Sequence, residues 1–190
     1  HLKKVKKQWY EKYVFFNKKK KIIDTKYCKI TKNSQEIFSL IKKNIKFVEY
    51  SPSVIKLLNQ ISKILKKKNY NCFLTFDYGY LKENFMNTLQ GLKKHSKINV
   101  FIEPGNVDIT YLVNFNLIKK IFNNNSLFNT INMSQSEFLI RSGIFERLYQ
   151  AKKYLVSDKE KQKLEMAVNR LVDRNQMGEL FKVFFVKNEN

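Results

Sequence analysis

The chain has 190 residues, 43% of them hydrophobic and 14% aromatic, which suits one domain with a real core and excludes a largely disordered polymer. Its net charge is +21, yet of 37 basic residues only four are arginine (Arg141, Arg147, Arg170, Arg174), and alanine occurs only at positions 151 and 167. That bias matches A/T-rich codons, and arginine is the residue that nucleic-acid sites use for bidentate contacts, so the charge reads first as a solvated lysine surface and nucleic acid as an unfavoured partner. No apolar run approaches the roughly 18 residues of a membrane span. The opening "HLKKVKKQWYEKY" lacks the apolar segment of a signal peptide and an initiator methionine, so the chain is expected to be a piece of something longer. Cys28 and Cys72 stand far apart with no C-x-x-C spacing, which argues against a disulfide framework or a zinc site and for a reducing compartment.

From Tyr13 to Asp24, "YVFFNKKKKIID" predicts a hairpin around a lysine-rich turn. Ile45–Tyr50 suits a short strand. Ser51 can then cap a helix that starts at Pro52, where a missing N–H costs nothing. Val54, Leu58, Ile61 and Leu65 recur at helical spacing, and Lys66, Lys67 and Lys68 complement the dipole at the far end. "CFLTFD" follows as a strand. Strand, helix and strand together predict a βαβ unit with a parallel sheet and a right-handed crossover, the second strand being buried on both faces.

After Gly79 the pattern is loop-like to about Phe101, with a turn at "EPGN" (103–106). A helix is predicted from near Asn116 through "LIKKIF", then an Asn-rich loop, "NNNSLFNT". "SQSEFLIRSGIFERLYQAKKYL" reads as helix broken at Gly143. Ser157 and Glu160 form a capping box for a helix lined by Leu164, Val168 and Leu171, and "ELFKVFFVKN" is a closing strand.

In an open parallel α/β sheet, ligands sit beyond the carboxyl ends of the strands, and Asp77, Tyr78 and Gly79 occupy such an end. Asp77 either accepts hydrogen bonds from a cationic or hydroxylated ligand or caps a neighbouring loop. Gly79 either admits a close backbone approach or makes a tight turn. His95, the one histidine besides His1, is either a proton shuttle or an exposed bystander in a lysine-rich loop. Asp108 and Thr110 either face a pocket or satisfy loop amides. No nucleophile triad can be drawn. The five glycines are isolated, and neither a Walker loop nor G-x-G-x-x-G is present.

Seven segments in order carry a resemblance: "WYEKYV" (9–14), "VEYSP" (48–52), "FDYGY" (76–80), "TLQGLKKH" (88–95), "EPGNVDIT" (103–110), "QSEFLIRSGIFER" (135–147) and "MGELFKV" (177–183). Together they resemble the MidA-like family of class I S-adenosylmethionine-dependent methyltransferases, which includes the mitochondrial arginine methyltransferase of respiratory complex I assembly. Two departures stand out. Gln90 replaces the family's arginine, and Leu112-Val113-Asn114 replaces H-V-D. The family's glycine-rich cofactor loop and N-E-x-x-D-A-L-P segment are absent from these residues.

The resemblance therefore implies an α/β fold, the C-terminal half of a Rossmann-like class I methyltransferase sheet with added helices, forming a single partial domain over residues 1–190. It implies S-adenosylmethionine as a cofactor bound mainly by the missing half. The partner would be a protein substrate, including a respiratory complex I subunit. Asp77, Tyr78, Gly79, His95, Asp108 and Thr110 would contribute to the acceptor pocket, with no metal. The expected location is the bacterial cytoplasm or, alternatively, the mitochondrial matrix. A remnant that no longer catalyses and serves as an interaction module is the second reading. A lysine-rich nucleic-acid binder is the third.

Overall fold

The computed structural model describes residues 1–30, 36–94, 96–123 and 127–188. In chain order the elements are β1 (Leu2–Val5), β2 (Gln8–Asn17), β3 (Ile22–Lys29), a 3₁₀ turn (Glu36–Ser39), β4 (Phe47–Val48), α1 (Pro52–Leu65), β5 (Cys72–Tyr80), β6 (Gln90–Lys93), β7 (Ser96–Ile98), β8 (Asp108–Thr110), β9 (Val113–Asn114), α2 (Phe115–Asn123), β10 (Phe128–Ser134), α3 (Gln135–Arg141), α4 (Ile144–Lys153), α5 (Asp158–Val172), α6 (Met177–Leu180) and β11 (Phe181–Asn188). They cluster into two compact units, one of His1–Leu57 with Lys82–Leu112 and one of Leu58–Leu81 with Val113–Asn190.

The first unit holds an antiparallel sheet in the order β3-β2-β1-β4 and a small sheet in the order β7-β6-β8. The expected hairpin is present and longer than its apolar core suggested, since β2 and β3 pair from Tyr10↔Lys29 to Asn17↔Ile22. Lys21, with φ +53°, turns the chain where no glycine is available. The stretch expected to be loop from Gly79 to Phe101 instead contains β6 and β7. Gly91 explains part of this: a Cβ there would lie 2.7 Å from Val107 Cγ1 and 2.9 Å from the Ile98 carbonyl, so its bare backbone lets the three strands close.

In the second unit the strand order is β10-β11-β5-β9. β11 runs antiparallel to both β10 and β5, and β9 runs parallel to β5 at Gly79↔Val113 and Tyr80↔Asn114. Alternation sorts the side chains. Phe73 and Phe184 pack with Phe122 of α2 on one face, and Phe76 meets Phe138 of α3 edge-on on the other. Phe115, Phe122, Val183, Phe184 and Val186 form the core. Asn188 donates its side-chain amide to the carbonyls of Leu65 and Lys68, which closes the C-terminal end of α1.

Two expectations about this sheet are corrected. β4 and β5 are not paired neighbours among the described residues: two-residue β4 gives its ladder bonds to β1, whereas β5 gives its own to β11 and β9. Nor is β5 covered on both faces, because Leu74 is 43% and Phe76 39% exposed. The helix reading fared better. Ser51 Oγ accepts from the Val54 N–H at 3.4 Å, and Gly143, at φ +76°, separates α3 from α4. Ser157 precedes α5 as expected, but its hydroxyl makes no capping bond.

Candidate functional site

Asp77, Tyr78 and Gly79 lie in the second unit, inside β5, which runs to Tyr80, past the expected strand "CFLTFD", with Gly79 and Tyr80 paired to β9. Asp77 is exposed and faces Lys182 across the β5–β11 ladder; its Oδ1 accepts the N–H of Tyr78 at 2.7 Å. The Tyr78 ring lies 4.1 Å from that of Phe181 and is 44% exposed. Gly79 has a packing role. A Cβ there would come within 2.3 Å of the Val113 carbonyl oxygen and 2.6 Å of the Phe115 ring, so only glycine lets β9 and the start of α2 approach β5 this closely.

Asp108 and Thr110 belong to the first unit, on β8. Asp108 is exposed opposite Leu92, and Thr110 lies opposite Gln90. The Thr110 hydroxyl is buried without a hydrogen-bond partner among the described residues. His95 lies outside the described residues. The departure at Asn114 has a structural account: its Oδ1 accepts from the Leu117 N–H at 3.0 Å and so caps α2, a task open to aspartate as well.

Sequence reasoning passed over Glu49. This carboxylate is 8% exposed and is surrounded by donors of the first unit. His1 Nε2 lies 2.8 Å away, and the N–H groups of Thr88 and Leu89 approach at 3.0 and 3.1 Å. The Thr88 hydroxyl also donates to Glu49, and itself accepts from the Leu112 N–H at 2.9 Å. Burial pushes the carboxyl up; the hydrogen bonds from His1, Thr88 and Leu89 together outweigh it and hold Glu49 below its ordinary value. A charge inside the apolar run "FVEY" was the signal available for finding it.

The glycines test whether these residues could cradle a nucleotide-like cofactor. At Gly79, Gly91 and Gly178 the space of a Cβ is already filled by neighbouring atoms of the chain, and Gly105 and Gly143 make positive-φ turns. None of the first three glycines therefore leaves its backbone open for a cofactor to lie against. No cluster of metal ligands occurs among the described residues, and no helix among them is long and apolar enough to cross a membrane.

A mixed sheet with helices on both faces and an antiparallel strand beside β5 is that of a Rossmann-like methyltransferase fold, and two solved structures share it. An uncharacterized protein from Burkholderia thailandensis superposes with a TM-score of 0.77 at 21% identity, over 98% of this chain and 51% of its own. A second protein from the same organism, solved bound to S-adenosyl-homocysteine, superposes with a TM-score of 0.75 at 20% identity, over 98% of this chain and 49% of its own. The chain belongs to the MidA-like family described as "Putative S-adenosyl-L-methionine-dependent methyltransferase", whose profile matches residues 2–133. It is 32% identical over 144 residues to the mitochondrial protein arginine methyltransferase NDUFAF7 of Xenopus tropicalis, covering 73% of this chain and 32% of the frog protein. The chain thus spans about half the length of the solved relatives and a third of that curated one.

Proposed function

We propose that this chain is the acceptor-side part of an S-adenosylmethionine-dependent protein arginine methyltransferase, whose cofactor is held by further strands that continue the sheet at β5. One observation carries the reading. Over Cys72–Tyr78, β5 pairs with β11 along one edge, and no strand among the described residues pairs with the other. Exposed Leu74 and Phe76 lie along this segment. An apolar strand with an unpaired edge is a template for another strand, and the solved relatives have about twice the chain to supply one. The isolated, mostly filled glycine positions support the same division, since they leave a glycine-rich cofactor loop to be supplied elsewhere.

Arginine as the acceptor draws on the frog relative's name, and a subunit of respiratory complex I as the protein substrate draws on the family resemblance. The chemistry this chain offers is positioning. A guanidinium is planar and forked, and an exposed carboxylate can accept two of its N–H groups and fix the nitrogen that is to be methylated. Asp77 beside Tyr78 offers this in the second unit, and Asp108 with the unpartnered Thr110 hydroxyl offers it in the first. His95 is proposed for the same acceptor side. Calorimetry tests the division. The 190-residue chain should show no binding of S-adenosylmethionine, while the product of the reading frame extended upstream should bind it. Tight binding by the chain alone would overturn the proposal.

A further inference from the structure

In the first unit, β1 pairs with β2 no further along than Glu11. From Lys12↔Tyr27 to Asn17↔Ile22, β2 pairs with β3 alone among the described residues, which makes a two-stranded ribbon about 20 Å long. Opposed residues of the two strands share a face. On one face Val14, Phe16 and Tyr27 are 58%, 60% and 45% exposed, beside Thr25 and Ile23, and the only charge is Lys12 at the base. The other face is provided for differently. There Lys26 Nζ lies 5.4 Å from the centre of the Phe15 ring, the Tyr13 hydroxyl donates to Glu11 at 3.0 Å, and Asp24 is the one carboxylate of the ribbon. At the tip Lys18, Lys19, Lys20 and Lys21 are all exposed, and Asn17 Oδ1 shapes their turn by accepting the Lys20 N–H at 3.2 Å. An apolar face without a carboxylate, rimmed by lysine at its base and its tip, is complementary to a surface both apolar and negatively charged.

We propose that this face of the ribbon lies on an anionic lipid bilayer, with Val14, Phe16 and Tyr27 entering the boundary between headgroups and acyl chains and the tip lysines reaching the headgroup charges. Lysine suits the place, because its stem follows apolar surface while the ammonium stays in the wet layer. Near such a surface each lysine adds roughly fivefold to partitioning. The Tyr27 ring, apolar with a polar tip, is of the kind that settles at a membrane interface. A nucleic acid fits less well. The ribbon contains no arginine, and the aliphatic side chains of Val14 and Ile23 interrupt any platform on which bases could stack. A protein partner would need an apolar cleft cut to the ribbon, whereas a lipid surface adapts to it. The inference is independent of methyl transfer: it holds the first unit against a membrane surface without any segment crossing.

The test is sedimentation of the upstream-extended protein with vesicles of phosphatidylcholine containing about 30% phosphatidylglycerol, at about 150 mM ionic strength to suppress diffuse attraction. Binding is expected there, and about tenfold weaker or less on pure phosphatidylcholine. Lys18→Gln, Lys19→Gln and Lys20→Gln together should weaken it about tenfold or more, and Phe16→Ala several-fold. Two controls should each leave it within about twofold: Phe15→Ala on the other face, and Lys66→Gln, Lys67→Gln and Lys68→Gln together in the exposed cluster after α1. Far-UV circular dichroism checks that each variant is folded. Absence of the unmodified protein from the anionic vesicle pellet overturns the proposal, since the ribbon would then be covered by further chain or left bare. Equal weakening by the two lysine triples does so too, because it would mean diffuse charge. Equal loss in Phe15→Ala and Phe16→Ala overturns the choice of face. Tighter binding to poly(U) RNA than to the anionic vesicles, lost in the tip triple, would assign the ribbon to nucleic acid instead.

Discussion

Glu49 and Asp77 are carboxylates set among aromatic and aliphatic neighbours, one in each compact unit, and their circumstances are opposite. Glu49 is almost wholly buried, and donors from His1, Thr88 and Leu89 converge on its two oxygens. Asp77 is exposed, and its side chain engages only the amide next to it among the described residues. A buried charge must be fully satisfied or it unfolds its surroundings, so Glu49 is committed to the architecture of the first unit. An exposed one remains available to a ligand. Of two acidic residues that look alike in the sequence, the deeper is held by converging donors and the shallower is open to solvent.

The sharpest way to break this contrast is through the backbone beside Asp77. Gly79→Ala drives a methyl group against the Val113 carbonyl and the Phe115 ring, neither of which can yield without moving β9 and α2. We expect a loss of about 3 kcal/mol in urea unfolding, at the upper end for overpacking. A loss below about 1 kcal/mol would mean that the strand packing around Asp77 is loose and that the availability of Asp77 reflects slack rather than design.

Glu49 comes next. Glu49→Ala strands the Thr88 and Leu89 donors and should cost about 2–3 kcal/mol. Its pH dependence is diagnostic. The folded carboxyl sits below its ordinary value of 4.5, so the stability it contributes is complete above that value and is lost as pH falls through the lower folded one. Glu49→Gln should flatten the acid limb of a stability–pH curve in this window while leaving the neutral region lower by about 1–2 kcal/mol. An unchanged acid limb would show that the network does not hold the charge.

The parts of the molecule that were legible in the sequence are those with a local cause. Pro52 after Ser51 set the start of α1, Gly143 broke α3 from α4, and the apolar run within "ELFKVFFVKN" marked β11. What stayed hidden depends on pairing across long separations. Nothing near Phe47 says that β4 joins β1 at the head of the chain, and nothing near Gly79 says that β9, more than thirty residues later, presses on it. The site follows the same rule. Asp77 stood out locally, at the end of an apolar run. The Glu49 network needs donors from residues 1, 88 and 89, which no local pattern brings together.

The smallest effect on stability is the one that says most about function. Asp77→Asn keeps an oxygen to accept the Tyr78 amide and removes only a solvated charge, so the unfolding free energy of the chain should change by no more than about 0.5 kcal/mol. In the upstream-extended protein the same change replaces a charged acceptor with a neutral one. If Asp77 orients a guanidinium, methylation of an arginine peptide should fall about tenfold or more, with S-adenosylmethionine binding intact. Stability and cofactor affinity both unmoved while turnover drops is a combination that a purely structural aspartate cannot produce. Unaltered turnover would take Asp77 out of the acceptor site and leave Asp108 as the carboxylate to test.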